Sequence, residues 1–224
     1  MTAIYTFGRG TLPLLISIPH DGRVLMWPEH YPDMTKVGKE IPDTDWHVRK
    51  LYSFTEQFGA SVIAANYSRY TIDLNRPPDD AVLYDGQLST GLCPVRTLDG
   101  DPIYRDAVEI SDLERKRRVH TYWIPYHEKI RTTLEEIRHE FGYALLWDAH
   151  SIKSDVPSLF EGALPDLNIG TNDGASCDED FCKSIMAVAG ASNYSSVCNG
   201  SFKGGYITRH YGDHRANIHA VQLE

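Results

Sequence analysis

A chain of 224 residues, 42% hydrophobic and 24% charged, is long enough for one large domain with a sizeable core. Its formal charge of -9 excludes the basic surface that nucleic-acid binding requires, so an anionic ligand would need a local arginine cluster. No stretch approaches the roughly 18 apolar residues of a membrane span, and residues 1–10 lack the basic start and apolar core of a secretion signal, so a soluble, cytoplasmic protein is expected.

In chain order, Leu12-Pro13-Leu14-Leu15-Ile16-Ser17-Ile18 predicts a first buried strand, and Pro19-His20-Asp21-Gly22 the turn leaving it, which puts His20 at a carboxyl end. A helix is predicted from Asp43 or Thr44, either of which can cap, with Trp46, Val48, Leu51, Tyr52 and Phe54 as its apolar face. Residues 60–67 read as a second strand, followed by a polar, charged loop from Ser68 to Asp80 of the kind in which chemistry collects. From Ile110 to Glu140 the pattern is helical, with Leu113, Val119, Trp123, Tyr126, Ile130 and Leu134 in an interrupted stripe and a kink expected at Pro125.

Residues 143–150 predict a strand delivering His150, and Pro157 to Gly174 a loop rich in Pro, Gly and Asn. A last helix is expected from Asp178 to Ala191, and the apolar run 218–223 ends on the carboxylate of Glu224. Strands alternating with helices predict an α/β fold: a mainly parallel sheet with a cleft at the strand carboxyl ends. The four cysteines, Cys93, Cys177, Cys182 and Cys198, lack C-x-x-C spacing and are expected as free thiols.

Two histidines at strand ends with acidic neighbours suggest a hydrolytic zinc centre. Catalytic zinc takes about three ligands from His, Asp and Glu and leaves one position for water. His20 and His150 supply two; the carboxylate comes from Asp21, Asp43, Asp45 or Asp148, and spacing alone does not choose. Asp21 and Asp148 sit close in sequence to their histidines and are expected to face the other way, which favours Asp45, with Asp43 as the cap. Arg76 can pair bidentately with a substrate carboxylate while Asn75 adds a neutral donor. Gly204 and Gly205 would let backbone approach a ligand, and Tyr206 could donate to it. Neither G-x-G-x-x-G nor G-x-x-x-x-G-K-[ST] is present, which argues against a nucleotide site.

Ser17-Ile18-Pro19-His20-Asp21-Gly22, Pro42-Asp43-Thr44-Asp45-Trp46, Ile72-Asp73-Leu74-Asn75-Arg76-Pro77, Trp147-Asp148-Ala149-His150-Ser151, Gly204-Gly205-Tyr206-Ile207-Thr208-Arg209 and Gln222-Leu223-Glu224, in that order, resemble the N-formylglutamate amidohydrolase (deformylase) family. That family is similar to the zinc carboxypeptidases and aspartoacylases. The resemblance implies one domain over residues 1–224 with a mixed, mostly parallel sheet flanked by helices, and one divalent metal, Zn2+, on His20, Asp45 and His150. It further implies Glu224 as the glutamate that works on the water, Arg69 as the arginine that polarises the scissile carbonyl, and Asn75, Arg76, Arg209 and Tyr206 as substrate contacts. The implied substrate is a small anionic N-acyl amino acid, N-formyl-L-glutamate, hydrolysed in histidine degradation; another N-acyl amino acid, a peptide, or a non-catalytic binding domain are the alternatives. Two departures stand out. The related peptidases place their acidic ligand three residues after the first histidine, where this chain has Arg23, and family members continue past Gln-Leu-Glu, which implies truncation after Glu224.

Overall fold

A computed structural model describes residues 2–25, 33–82, 90–106, 109–157 and 162–224. Its seven strands are β1 (Tyr5–Gly8), β2 (Leu14–Ile18), β3 (Ser61–Ala65), β4 (Ala144–Ala149), β5 (Leu167–Gly170), β6 (Ser196–Cys198) and β7 (Ile218–Leu223). They form one sheet in the order β1-β3-β2-β4-β7-β5-β6. The central strands β3, β2, β4 and β7 run parallel, whereas β1 on β3 and β5 on β7 run antiparallel. The sheet is therefore mixed and mostly parallel, as expected.

Both faces are covered, which is why the central strands read as near-continuous apolar runs instead of alternating. The described helices are α1 (Lys36–Glu40), α2 (Val48–Leu51), α3 (Asp112–Arg118), α4 (Ile124–Phe141), α5 (Glu179–Gly190) and α6 (Tyr206–Tyr211). On one face Tyr126, Ile130, Leu134 and Ile137 of α4 bury against Leu15, Ile63 and Leu146, together with Ile207 of α6. Side chains buried in this way contribute about 1.5–3 kcal/mol each. The other face carries Val48 and Tyr52 against Ile16, Ile18 and Ala149, and α5 against Ile169 and Val221.

Several expectations need correction. The helix predicted from Asp43 or Thr44 begins at Val48 behind His47, with no side-chain cap, and passes at Tyr52 into a 3-10 segment ending at Phe58. Asp43 instead accepts from the Tyr70 hydroxyl at 2.6 Å and from Leu98 N at 2.9 Å, so it ties two loops together. Leu51 and Phe54 of the proposed apolar face are exposed, as is Leu113 of the later stripe. The helical stretch changes type just ahead of Pro125, the second residue of α4. A π-helical turn at Val119–Trp123 precedes it and absorbs the missing donor, aiming the Trp123 indole N–H at the Arg76 carbonyl, 2.9 Å away.

The stretch predicted as loop from Pro157 to Gly174 contains β5; its residues 158–161 lie outside the described part. The helix at Glu179–Gly190 is not the last, since α6 follows it. All four cysteines are free thiols, and no helix among the described residues is long and apolar enough to cross a membrane.

Candidate metal and catalytic centre

The topology brings the predicted residues together. β2, β4 and β7 are adjacent and parallel, so the residues just past their carboxyl ends, His20, His150 and Glu224, arrive on one edge of the sheet. Asp45 reaches them from the loop before α2, held by its own N–H on the His20 carbonyl at 3.1 Å. One donor atom from each of His20, Asp45 and His150 lies within 4.8 Å of the others, and all three side chains are buried.

Ring orientation follows from what stands behind each histidine. His20 Nε2 lies 2.7 Å from Asp73 Oδ1, and His150 Nε2 lies 3.0 Å from Asp148 Oδ2. A carboxylate there keeps the proton on Nε2 and turns the Nδ1 lone pair toward the cluster, the arrangement in which ligating histidines are usually braced. On the inner side, His150 Nδ1 is 3.0 Å and His20 Nδ1 3.8 Å from Asp45 Oδ2, and Glu224 Oε1 stands 4.0 Å from His150 Nδ1. Asp148, set aside in the sequence for pointing away, is two residues from His150 and so shares its strand face. Asp21, directly adjacent to His20, does point elsewhere, toward Arg23 and Arg49.

Electrostatics favour a cation here. Burial alone would raise Asp45, but the His150 bond and the nearby His20, His150 and Arg69 charges hold it below the usual carboxylate range; Asp73 is held well below it by Arg69 and His20 against the same burial effect. Burial and the Arg69 charge lower His20, whereas Asp148, Asp45 and Glu224 overcome burial and lift His150 well above an ordinary histidine. Burial pushes Glu224 up to about 8, and its Oε2, like Asp148 Oδ1, is buried without a hydrogen-bond partner. Four carboxylates thus face one arginine and two histidines, and such burial requires compensating charge. Two imidazoles and a carboxylate suit a divalent transition metal.

The Glu224 main chain exchanges two hydrogen bonds with Asn168 of β5, at 2.9 and 3.0 Å, so the residue is anchored from a neighbouring strand. Arg69 donates from Nη2 to Asp73 Oδ2 at 2.6 Å, while its Nη1 makes a long 3.4 Å contact with the Asp43 carbonyl and stands 4.0 Å from Asp45 Oδ1. Arg69, Asp45 and Glu224 share a cavity of about 280 Å³ with Thr44, Trp46 and Lys153.

The four predicted substrate contacts lie outside this lining. The Asn75 amide is fully engaged: Nδ2 donates to Asp148 Oδ2 at 3.1 Å, and Oδ1 accepts from Ile207 N at 2.8 Å. Asn75 N also donates to Asp73 Oδ1, so one residue ties together the carboxylates behind both histidines. Arg76 is half-buried, and its charge helps lower Asp73. Tyr206 packs on Trp123 with ring centroids 5.6 Å apart, and Arg209 donates from Nε to the Gly204 carbonyl at 2.8 Å.

Gly205 approaches the Asn75 side chain as well as any ligand. A Cβ built on it falls 2.6 Å from Asn75 Cγ and Oδ1. Gly205→Ala is therefore expected to displace Asn75 and both braced carboxylates, weakening divalent-metal affinity about 10- to 100-fold, the usual effect of disturbing outer-sphere partners. Chelator competition measures this; an unchanged affinity would show that Asn75 yields without moving its partners. Asp73, Thr44 and Lys153 were not singled out as site residues in the sequence, and Asp148 was weighed only as a ligand and set aside, although its i, i+2 spacing to His150 was a usable signal of a bracing role.

The N-formylglutamate amidohydrolase family model matches residues 12–224. A curated N-formylglutamate deformylase of Pseudomonas putida is 51% identical over 226 residues, covering 100% of this chain and 84% of its own length. One from Pseudomonas aeruginosa is 52% identical over 225 residues, with 100% and 84% covered. Among solved structures, an N-formylglutamate amidohydrolase from Ralstonia eutropha JMP134 has the same fold, with TM-score 0.83 at 22% identity, covering 100% of this chain and 86% of that one. A gene product of Agrobacterium tumefaciens also matches, with TM-score 0.76 at 17% identity over 100% of this chain and 84% of its own.

Proposed function

Since the chain belongs to the N-formylglutamate amidohydrolase family, we propose that it hydrolyses the formyl amide of N-formyl-L-glutamate to formate and L-glutamate, in the cytoplasm and in histidine breakdown. The observation that carries this is the full-length likeness to two N-formylglutamate deformylases, in a chain with a buried His–Asp–His cluster. His20, Asp45 and His150 would hold the metal, Zn2+ by the chemistry of the donors. When bound, the ion supplies Lewis acidity for the formyl carbonyl and brings the pKa of water to about 7.

The remaining steps belong to the chain's own residues. Glu224, through its unpartnered Oε2, takes a proton from the attacking water and returns it to the nitrogen of the leaving glutamate. Arg69 Nη1, weakly engaged in the free protein, donates to the developing oxyanion; such donors are worth about 10²- to 10³-fold in rate. Arg76 receives one substrate carboxylate, with Tyr206 and Arg209 beside it. Asn75 acts through Asp73 and Asp148 in this reading. Arg76→Ala is expected to raise KM about 10- to 100-fold with a smaller change in kcat, the size of a lost charge-assisted pair; an unchanged KM in steady-state kinetics would remove Arg76 from the substrate site.

The test of substrate class is product release from N-formyl-L-glutamate beside N-acetyl-L-glutamate and a formylated peptide. Turnover confined to the N-formyl amino acid supports the proposal. Faster release of acetate would place the chain's activity with the aspartoacylase type.

A further inference from the structure

N-Formylglutamate carries two carboxylates, the α-carboxylate separated from the scissile amide nitrogen by one carbon and the side-chain carboxylate by three. The cavity shared by Asp45, Arg69 and Glu224 has a second cation in its lining, Lys153, on the loop that leaves β4 three residues after His150. We infer that Lys153, assisted by the Thr44 hydroxyl, binds the side-chain carboxylate of the substrate and so sets the preference for an acidic side chain; this rests on the proposed deformylase reading.

Three observations support it. Arg69, the other cation of the cavity, is committed through Nη2 to Asp73 at 2.6 Å and, in the proposed reaction, through Nη1 to the oxyanion, which leaves Lys153 for the distal carboxylate. Among the described residues Lys153 Nζ pairs with Asp99 Oδ2 at 3.1 Å, with side-chain exposures of 60% and 48%. Ion pairs this exposed contribute little and exchange readily, so a substrate carboxylate can replace Asp99, and the flexible four-carbon stem lets the ammonium follow it. Thr44, which lines the same cavity, is only 7% exposed, yet its Oγ1 has no hydrogen-bond partner. A buried hydroxyl without a partner is costly, and a carboxylate oxygen would satisfy it. Asp99 thus holds Lys153 in the way a substrate carboxylate would, and the two carboxylates compete for the ammonium.

The experiment is a comparison of kcat/KM for N-formyl-L-glutamate and N-formyl-L-glutamine, which differ only in that carboxylate, with wild type, Lys153→Met and Lys153→Arg. Loss of one charge-assisted contact predicts that Lys153→Met lowers the glutamate-over-glutamine preference about 10- to 100-fold, mainly through KM, and that Lys153→Arg keeps most of it. A preference in Lys153→Met within twofold of wild type would overturn the Lys153 assignment alone. Formate release from neither compound by the metal-loaded wild type would overturn the deformylase reading and this inference with it.

Discussion

Glu224→Gln is expected to lower kcat for formate release by about 10³- to 10⁴-fold while the protein still binds one divalent ion, the upper range for loss of a positioned acid–base group. The substitution preserves shape and keeps an Oε1 acceptor for the Gln222 amide, which stands 3.3 Å from it. It removes the proton-carrying oxygen Oε2 and replaces a group that burial disfavours as an anion by a neutral amide. Thermal stability should therefore stay level or rise, so a low rate cannot be laid to unfolding. The pH profile carries the sign: the base works deprotonated, burial sets it at about 8 in the metal-free protein, and a nearby cation favours its anion, so the acidic limb of kcat/KM should lie below 8. Formate assays and a melting curve on the same preparation decide the matter, and a Glu224→Gln kcat within tenfold of wild type would remove Glu224 from the reaction.

His150→Ala should abolish stoichiometric metal binding and activity together, and Asp148→Asn should weaken metal affinity about 10- to 100-fold without removing a ligand. Asp148, Asp45 and Glu224 lift His150 well above an ordinary histidine and so favour a proton on its ring. An ion taking Nδ1 must displace that proton. The apparent Kd should therefore weaken about tenfold for each unit that pH falls below neutrality, and level off only above the His150 pKa. A Kd flat from pH 6 to 8 would mean that His150 does not bind the ion.

Much of the centre was legible because a parallel sheet sends successive strand ends to one edge: once β2, β4 and β7 are recognised as apolar runs, His20, His150 and Glu224 converge whatever the loops do. What could not be read was settled by packing between distant segments. β1 (Tyr5–Gly8) and β5 (Leu167–Gly170) are four residues each, too short to show a period, and are strands because β3 offers β1 an antiparallel partner and β7 and β6 flank β5. α6 follows two glycines and is six residues long, so it reads as loop until Asn75 Oδ1 accepts from the N–H of Ile207 in its first turn. Asn75 shows the same limit in a functional residue. Its amide suits a substrate carboxylate, yet it is bound to Asp73 of its own loop, to Asp148 of β4 and to Ile207 of α6.

The metal centre is tested most directly by formate release from N-formyl-L-glutamate by protein stripped of metal with a chelator, before and after adding one equivalent of Zn2+. Turnover should be lost on stripping and return at a stoichiometry of one ion per chain. Undiminished turnover by stripped protein, with the absence of metal verified by elemental analysis, would contradict the assignment of His20, Asp45 and His150 as a catalytic metal site.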